Sequence, residues 1–194
     1  MLDEKAAHIT NDGVAVTIDR TTDYSGKAIV SRIKGSYSDY SVQNRRMINM
    51  ITASNLTAGE VVATATESYL VVVARNEMVG GVAISIIANA LLCNDTLTVS
   101  RETPSCDSYG NPTGATPSTA LNAAPCHAVH VNSKMRETDA GLLPTTVLKV
   151  YAKSASGLIL GDKAEVFDRY YRVDDINFAE YAGIMVLQLS AWAG

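Results

Sequence analysis

Cys126, His127 and His130 stand close together, and thiolate and imidazole are common ligands of a transition metal. The arrangement lacks the paired Cys-x-x-Cys knuckle of a structural zinc site. On a strand, moreover, His127 and His130 would point to opposite faces. Cys106 lies upstream of Cys126 across a polar segment, so a Cys106–Cys126 disulfide is a second chemistry, and an unbonded loop a third. The carboxylates Asp162, Glu165, Asp168, Asp174 and Asp175 crowd one stretch, as a paired-acid site would require. A hairpin also carries alternating acids on its solvent face and at its tip, and that is the reading adopted here. His8 completes the set of near-neutral acid–base candidates. Gly80-Gly81 lacks the Lys-Ser/Thr of a phosphate-binding loop, and no Gly-x-Ser-x-Gly elbow occurs. The expectation is a protein that is not an enzyme and takes neither metal nor cofactor.

The elements that would position these residues read as strands. Val14–Arg20, Lys27–Ile33, Thr96–Arg101 and Val147–Tyr151 are short, β-branched and bounded by turn residues. Lys163–Phe167 and Tyr170–Asp174 form a hairpin about Asp168-Arg169, and Ile184–Leu189 closes the chain. The stretch from Asp39 to Met50 is the one place where a helix is expected. Of the 194 residues, 47% are hydrophobic, enough for a real core, and only 19% are charged. A polar surface built from Thr, Ser and Asn suits faces covered by other copies or by partners. The net charge of -4 argues against a dedicated nucleic-acid binder. The start, Met1-Leu2-Asp3-Glu4-Lys5, lacks the basic and apolar stretches of a secretory leader, so synthesis in the cytoplasm is expected. The apolar run from Gly80 to Cys93 is too short to span a bilayer, and Cys93 within it reads as a buried thiol.

The chain also repeats itself. Gly59, Tyr69, Val71 and Gly81 fall on Gly161, Tyr171, Val173 and Gly183 at one ungapped offset of 102 residues, with Glu60 on Asp162. Thr17-Ile18-Asp19-Arg20 resembles Thr98-Val99-Ser100-Arg101 at an offset of 81, so the second copy holds about 21 more residues. The segment 104–125, rich in Pro, Ser, Thr, Gly and Asn, matches that surplus and reads as a long inserted loop. The repeat resolves the run 81–92: its counterpart 183–192 is a better strand than helix, so both are strands. The expected fold is mainly β, with two tandem related small barrels or sandwiches over 1–94 and 95–194, the second with the insertion at about 104–125. Between them, Lys27, Arg32, Lys34, Arg45 and Arg46 concentrate positive charge against a single Asp39, with Tyr37 and Tyr40 interleaved. This is a candidate docking patch for an acidic protein surface or for passing DNA.

The final stretch carries a further pattern: Gly161-Asp162 before a hairpin, Tyr171-x-Val173 in its second strand, and Gly183 before a terminal strand. This resembles the head-completion proteins of tailed bacteriophages, the head-closure or stopper proteins of the neck. The opening Gly13–Arg20 and the stretch Gly59–Val72 resemble them too. The resemblance covers about half the chain; the double length and the insertion depart from it. It implies a homo-oligomeric ring of six or twelve copies in the virion, assembled in the host cytoplasm. The portal or its adaptor would lie above, a tail terminator or tail tube below, and packaged double-stranded DNA would pass through without sequence recognition. Two other classes stay open: a different virion component, such as a tail terminator or capsid decoration protein, and an enzyme without a visible motif.

Overall fold

A computed structural model describes residues 2–20, 22–33 and 44–193. The chain forms two compact units, Met1–Cys93 with Tyr181–Ile184 and Asn94–Glu180 with Met185–Gly194. Each carries one closed six-stranded barrel, and 61% of the described residues are in strands.

In the first barrel, β1 (Val14–Asp19), β2 (Tyr24–Arg32), β3 (Arg45–Met50), β4 (Val61–Ala63), β5 (Ser68–Val79) and β6 (Val82–Leu92) close in the order β1-β2-β3-β6-β5-β4. The second barrel uses β7 (Asp95–Cys106), β8 (Pro112–His130), β9 (Leu148–Lys153), β10 (Lys163–Val166), β11 (Arg169–Tyr181) and β12 (Ile184–Ala191) in the same order. The registers coincide around the closing seam. Ile18 opposes Val62 where Val99 opposes Ala164, and Val62 opposes Tyr69 where Ala164 opposes Tyr171. The alternation of strands explains the interior: every second residue turns inward, so Val16, Ile18, Ile48, Met50, Tyr69 and Val71 fill one barrel. Leu97, Val99, Val150, Ala152, Tyr171 and Val173 fill the other. Beyond the turn glycines the inward set moves from offset 102 to 101. The β5–β6 ladder leaves Ile84 as an extra bulged residue, and Ile86 and Ala88 then correspond to Leu187 and Leu189.

The same side chain locks each barrel. Arg20, just past β1, donates to Glu60 (2.8 Å) and to the Ser54 carbonyl (3.2 Å), while Glu60 also accepts from Thr57 N–H (2.8 Å). Arg101 on β7 donates through Nε and Nη2 to both oxygens of Asp162 (2.8 and 2.9 Å) and to the Gly157 carbonyl (2.7 Å). Asp162 accepts from Ile159 N–H at 2.9 Å. The backbone around the acid is duplicated as well. Gly59 and Gly161, both with φ in the left-handed region, donate to Val71 and Val173, which donate back to Glu60 and Asp162.

Several expectations are corrected. Arg45–Met50, expected within a helix, is strand β3, because Arg46, Ile48 and Met50 alternate inward while Arg45, Met47 and Asn49 face out; residues 39–43 lie outside the described set. Among the described residues the α-helices are α1 (Leu2–Asp12) and α2 (Ser133–Thr138). Helix α1 shows little apolar periodicity but buries Ile9; Gly13 ends it, donating to Ile9 O in a place where a Cβ would lie 2.3 Å from that oxygen. Helix α2 is capped by Asn132, whose side chain accepts from Met135 N–H. The segment 104–125 is no loop: it is the outer part of a β7–β8 hairpin whose ladder runs from Asp95/Cys126 to Cys106/Pro112. Pro and Gly marked it as irregular, yet Pro is tolerated on strands whose outer edge is unpaired. The second-barrel turn falls at Phe167-Asp168, both at positive φ as a two-residue type I′ turn requires.

The clamp geometry gives a prediction. Asp162 is buried and binds its arginine through two bonds, whereas Glu60 uses one, so Asp162→Ala should destabilise the second barrel by about 2–4 kcal/mol. Glu60→Ala should cost about 1–2 kcal/mol in the first. Equal denaturant midpoints for the two variants would show that the clamps do not differ in this way.

Candidate functional site

The structure distributes the predicted site residues by strand parity. Lys27 and Arg45 are exposed on the outward face of β2 and β3. Arg32 and Arg46 are cross-strand partners of the opposite parity, at one mouth of the first barrel. Lys34, Tyr37 and Tyr40 lie outside the described residues. The charges that the sequence placed in one patch are therefore divided between an outer wall and a barrel mouth.

At that mouth a cleft of about 460 Å³ is lined by Val14, Val30, Arg32, Arg46, Glu67 and Tyr69, with Thr64–Thr66 completing its rim. Tyr69 Oη donates to the Glu67 carboxylate. Burial, the Glu67 hydrogen bond and the Glu67 charge push the phenol up to about 12, with nearby Arg46 opposing them. The exposed Arg32 and Glu67 offer a guanidinium and a carboxylate to solvent, while Arg46 and the Tyr69 phenol are buried behind them. The sequence held one signal of the mouth: Arg46 alternates with core residues Ile48 and Met50, and so had to sit on the inner face.

The second barrel provides the comparison. By register, His130 stands where Arg32 does and Leu148 where Arg46 does. Phe167, whose N–H donates to Asp95, stacks on His130 with ring centroids 5.9 Å apart and packs on the core. Leu148 is fully buried. An aromatic plug thus fills the position that is an open polar cleft in the first barrel. Tyr171 is buried like Tyr69, but Arg169 replaces Glu67 and offers its hydroxyl no acceptor.

The cysteine–histidine cluster is pulled apart by the period of β8. Cys126 faces the core, His127 the outer side near Tyr151 (6.1 Å between rings), and His130 the mouth. All three cysteines are free thiols, with Cys106 exposed and Cys126 buried, so the disulfide is not formed. Cys93 is only partly exposed, and burial raises its thiol to about 12 against a smaller backbone effect. Among the described residues no group of three His, Cys, Asp or Glu side chains could hold a metal ion. The carboxylates are engaged separately. Asp162 binds Arg101, Asp174 accepts from Thr145, and Asp175 accepts from Gln188. Gln188 itself is saturated: it accepts from Leu143 N–H and Thr146 Oγ1 and donates to Gly141 O and Asp175. These bonds strap residues 141–146 over the outer wall of β9 and β12. Lys149 joins them through Asp139 (3.0 Å) and Glu180 (3.5 Å). Burial opposes the Lys149 charge, but the Asp139 hydrogen bond and the charges of Tyr151, Glu180 and Asp139 outweigh it and raise the ammonium above its ordinary range. Among the described residues no helix is long and apolar enough to cross a membrane.

No protein-family model, curated protein or solved structure matches the chain.

The Tyr69 environment has a measurable pH signature. Its folded pKa lies above the ordinary phenol value of 10.0, so the unfolded chain loses this proton first as pH rises. The stabilisation is complete below pH 10 and is lost as pH climbs toward about 12. Tyr69→Phe should flatten the fall in melting temperature over that window; an unchanged alkaline limb would show that the phenol is not held in this way.

Proposed function

We propose that this chain is a structural protein of a tailed-phage virion. Copies of it form a ring in the head-to-tail connector that retains and gates the packaged double-stranded DNA. The observation that carries this reading is the position of the motif residues within the barrels. Gly161-Asp162 opens the β10–β11 hairpin, Tyr171 and Val173 face inward from its second strand, and Gly183 turns the chain into the closing strand. Gly59-Glu60, Tyr69, Val71 and Gly81 hold the same places in the first barrel.

The physical features agree with such a role. Each barrel interior is filled by its own side chains, so a channel for DNA would run between copies. An acidic chain suits a lining that lets phosphates slide without gripping them. A two-barrel chain also relates two symmetries: six copies around an axis present twelve quasi-equivalent barrels, through heterologous contacts whose rotation closes. Portal or adaptor would bind one end of the ring and a tail component the other.

Mass measurement and negative-stain imaging of the purified chain test this. A closed ring of six chains with an axial channel wide enough for duplex DNA is expected. A particle without a channel would instead favour a capsid decoration protein, and a chain monomeric at every concentration would overturn the ring.

A further inference from the structure

The β7–β8 hairpin outgrows its barrel. From Glu102 to Thr119 almost every side chain described is exposed, on both faces of the ribbon. A two-stranded ribbon without a core is marginal in water, so one of this length is stable when something covers it. Its cross-strand pairs divide the two faces. Thr103/Thr116 and Ser105/Gly114 lie on one, where Thr113 Oγ1 donates to Ser105 Oγ (3.1 Å). Pro104/Ala115 lie on the other, with Cys106 toward the tip and Glu102/Pro117 at the root. A proline inside a ladder turns its missing N–H outward, so Pro104 and Pro117 interrupt the two free edges and oppose strand addition there. The small apolar face is what remains for docking. Asp107 carries its charge at the tip, beyond this face, and its carboxylate is held there by Tyr109 N–H, Asn111 N–H and Asn111 Nδ2, which favour the ionised form.

The first barrel carries a matching surface. Ser31, Met47, Asn89 and Val73 form one cross-strand row on its outer wall, with Met47 40% and Val73 50% exposed. The row is uncharged and flanked by the exposed Arg45 and Arg75. In the second barrel the residue equivalent to Met47 is Lys149, buried beneath its own Asp139 and Glu180 contacts, so only the first barrel presents the row. Among the described residues no side-chain partner is recorded for Glu102, Arg45 or Arg75. One chain thus carries one arm with an uncharged face and an acid at its root, and one uncharged row with arginines at its borders.

We infer that the β7–β8 arm lays its Pro104–Cys106–Ala115–Pro117 face on the Ser31–Met47–Asn89–Val73 row of a second copy of this chain, with Glu102 meeting Arg45 or Arg75. One arm and one row per copy make a heterologous contact, the kind that propagates into a ring. The inference rests on the proposed ring only in requiring self-association.

Cys106 reports on it directly. In the full chain, alkylation of Cys106 should slow at least about tenfold as concentration drives assembly, with buried Cys126 as the internal reference. Glu102→Arg should weaken assembly by about tenfold or more, and Arg75→Glu or Arg45→Glu in the same chain should restore it. A ring in which Cys106 stays fully reactive, or an assembly indifferent to the charge swap, overturns the arm contact and leaves the ring intact. A closed dimer with Cys106 protected and the swap effective upholds the contact and overturns the ring. A chain that never self-associates overturns both.

Discussion

The bond on which both barrels turn is the one between an arginine on or just past the first strand and an acid that precedes the fourth. Each barrel closes by pairing those two strands, which are far apart in sequence and share only three ladder pairs. So short a seam needs fixing from outside the ladder. Arg20 and Arg101 do this by reaching past the seam to the carbonyls of Ser54 and Gly157 while holding Glu60 and Asp162. The acid cannot swing away, because its carboxylate also accepts the N–H of Thr57 or Ile159 and its own carbonyl receives Val71 or Val173. Side chain, turn and ladder thus constrain one another. A left-handed glycine directly before the acid makes the turn affordable.

That constraint is also why the repeat was visible in the amino-acid sequence. Glycine, acid, tyrosine and valine recur at fixed spacing because each has one geometric duty in the clamp and the wall beside it. The remainder of the fold was less legible where duties are shared. The barrel interior accepts any apolar residue of suitable size, so Ala28 and Cys126 occupy equivalent positions without sequence likeness. Helix α1 leans on one buried isoleucine, too little for a periodic signal. The hairpin arm was concealed by its prolines, residues that argue for a loop except on an edge with nothing to bond. The basic cluster shows the reverse error. Adjacency along a strand is not adjacency on a surface, and Arg45 and Arg46 were bound to part company once that stretch became β3.

The candidate site was hidden for a different reason. Neither barrel alone identifies the mouth as unusual; it is the pair that does. Half-buried Phe167 packs on the second core beneath the exposed His130, and the same end of the first keeps Arg32, Arg46 and Glu67. In one half the position is covered by an aromatic pair and in the other it is polar.

Tandem copies of one topology carry a hazard of their own, since early strands of one can close with late strands of the other as the chain emerges. The unequal clamps work against that exchange. Glu60 is one methylene longer than Asp162, and only the shorter acid takes its arginine through both Nε and a terminal nitrogen. A hybrid barrel would also set Phe167 beside Arg32 and Arg46 in place of His130 and Leu148, losing the stacked histidine and the fully buried leucine. The differences between the halves thus make each set of strands fit its own barrel better than that of its twin.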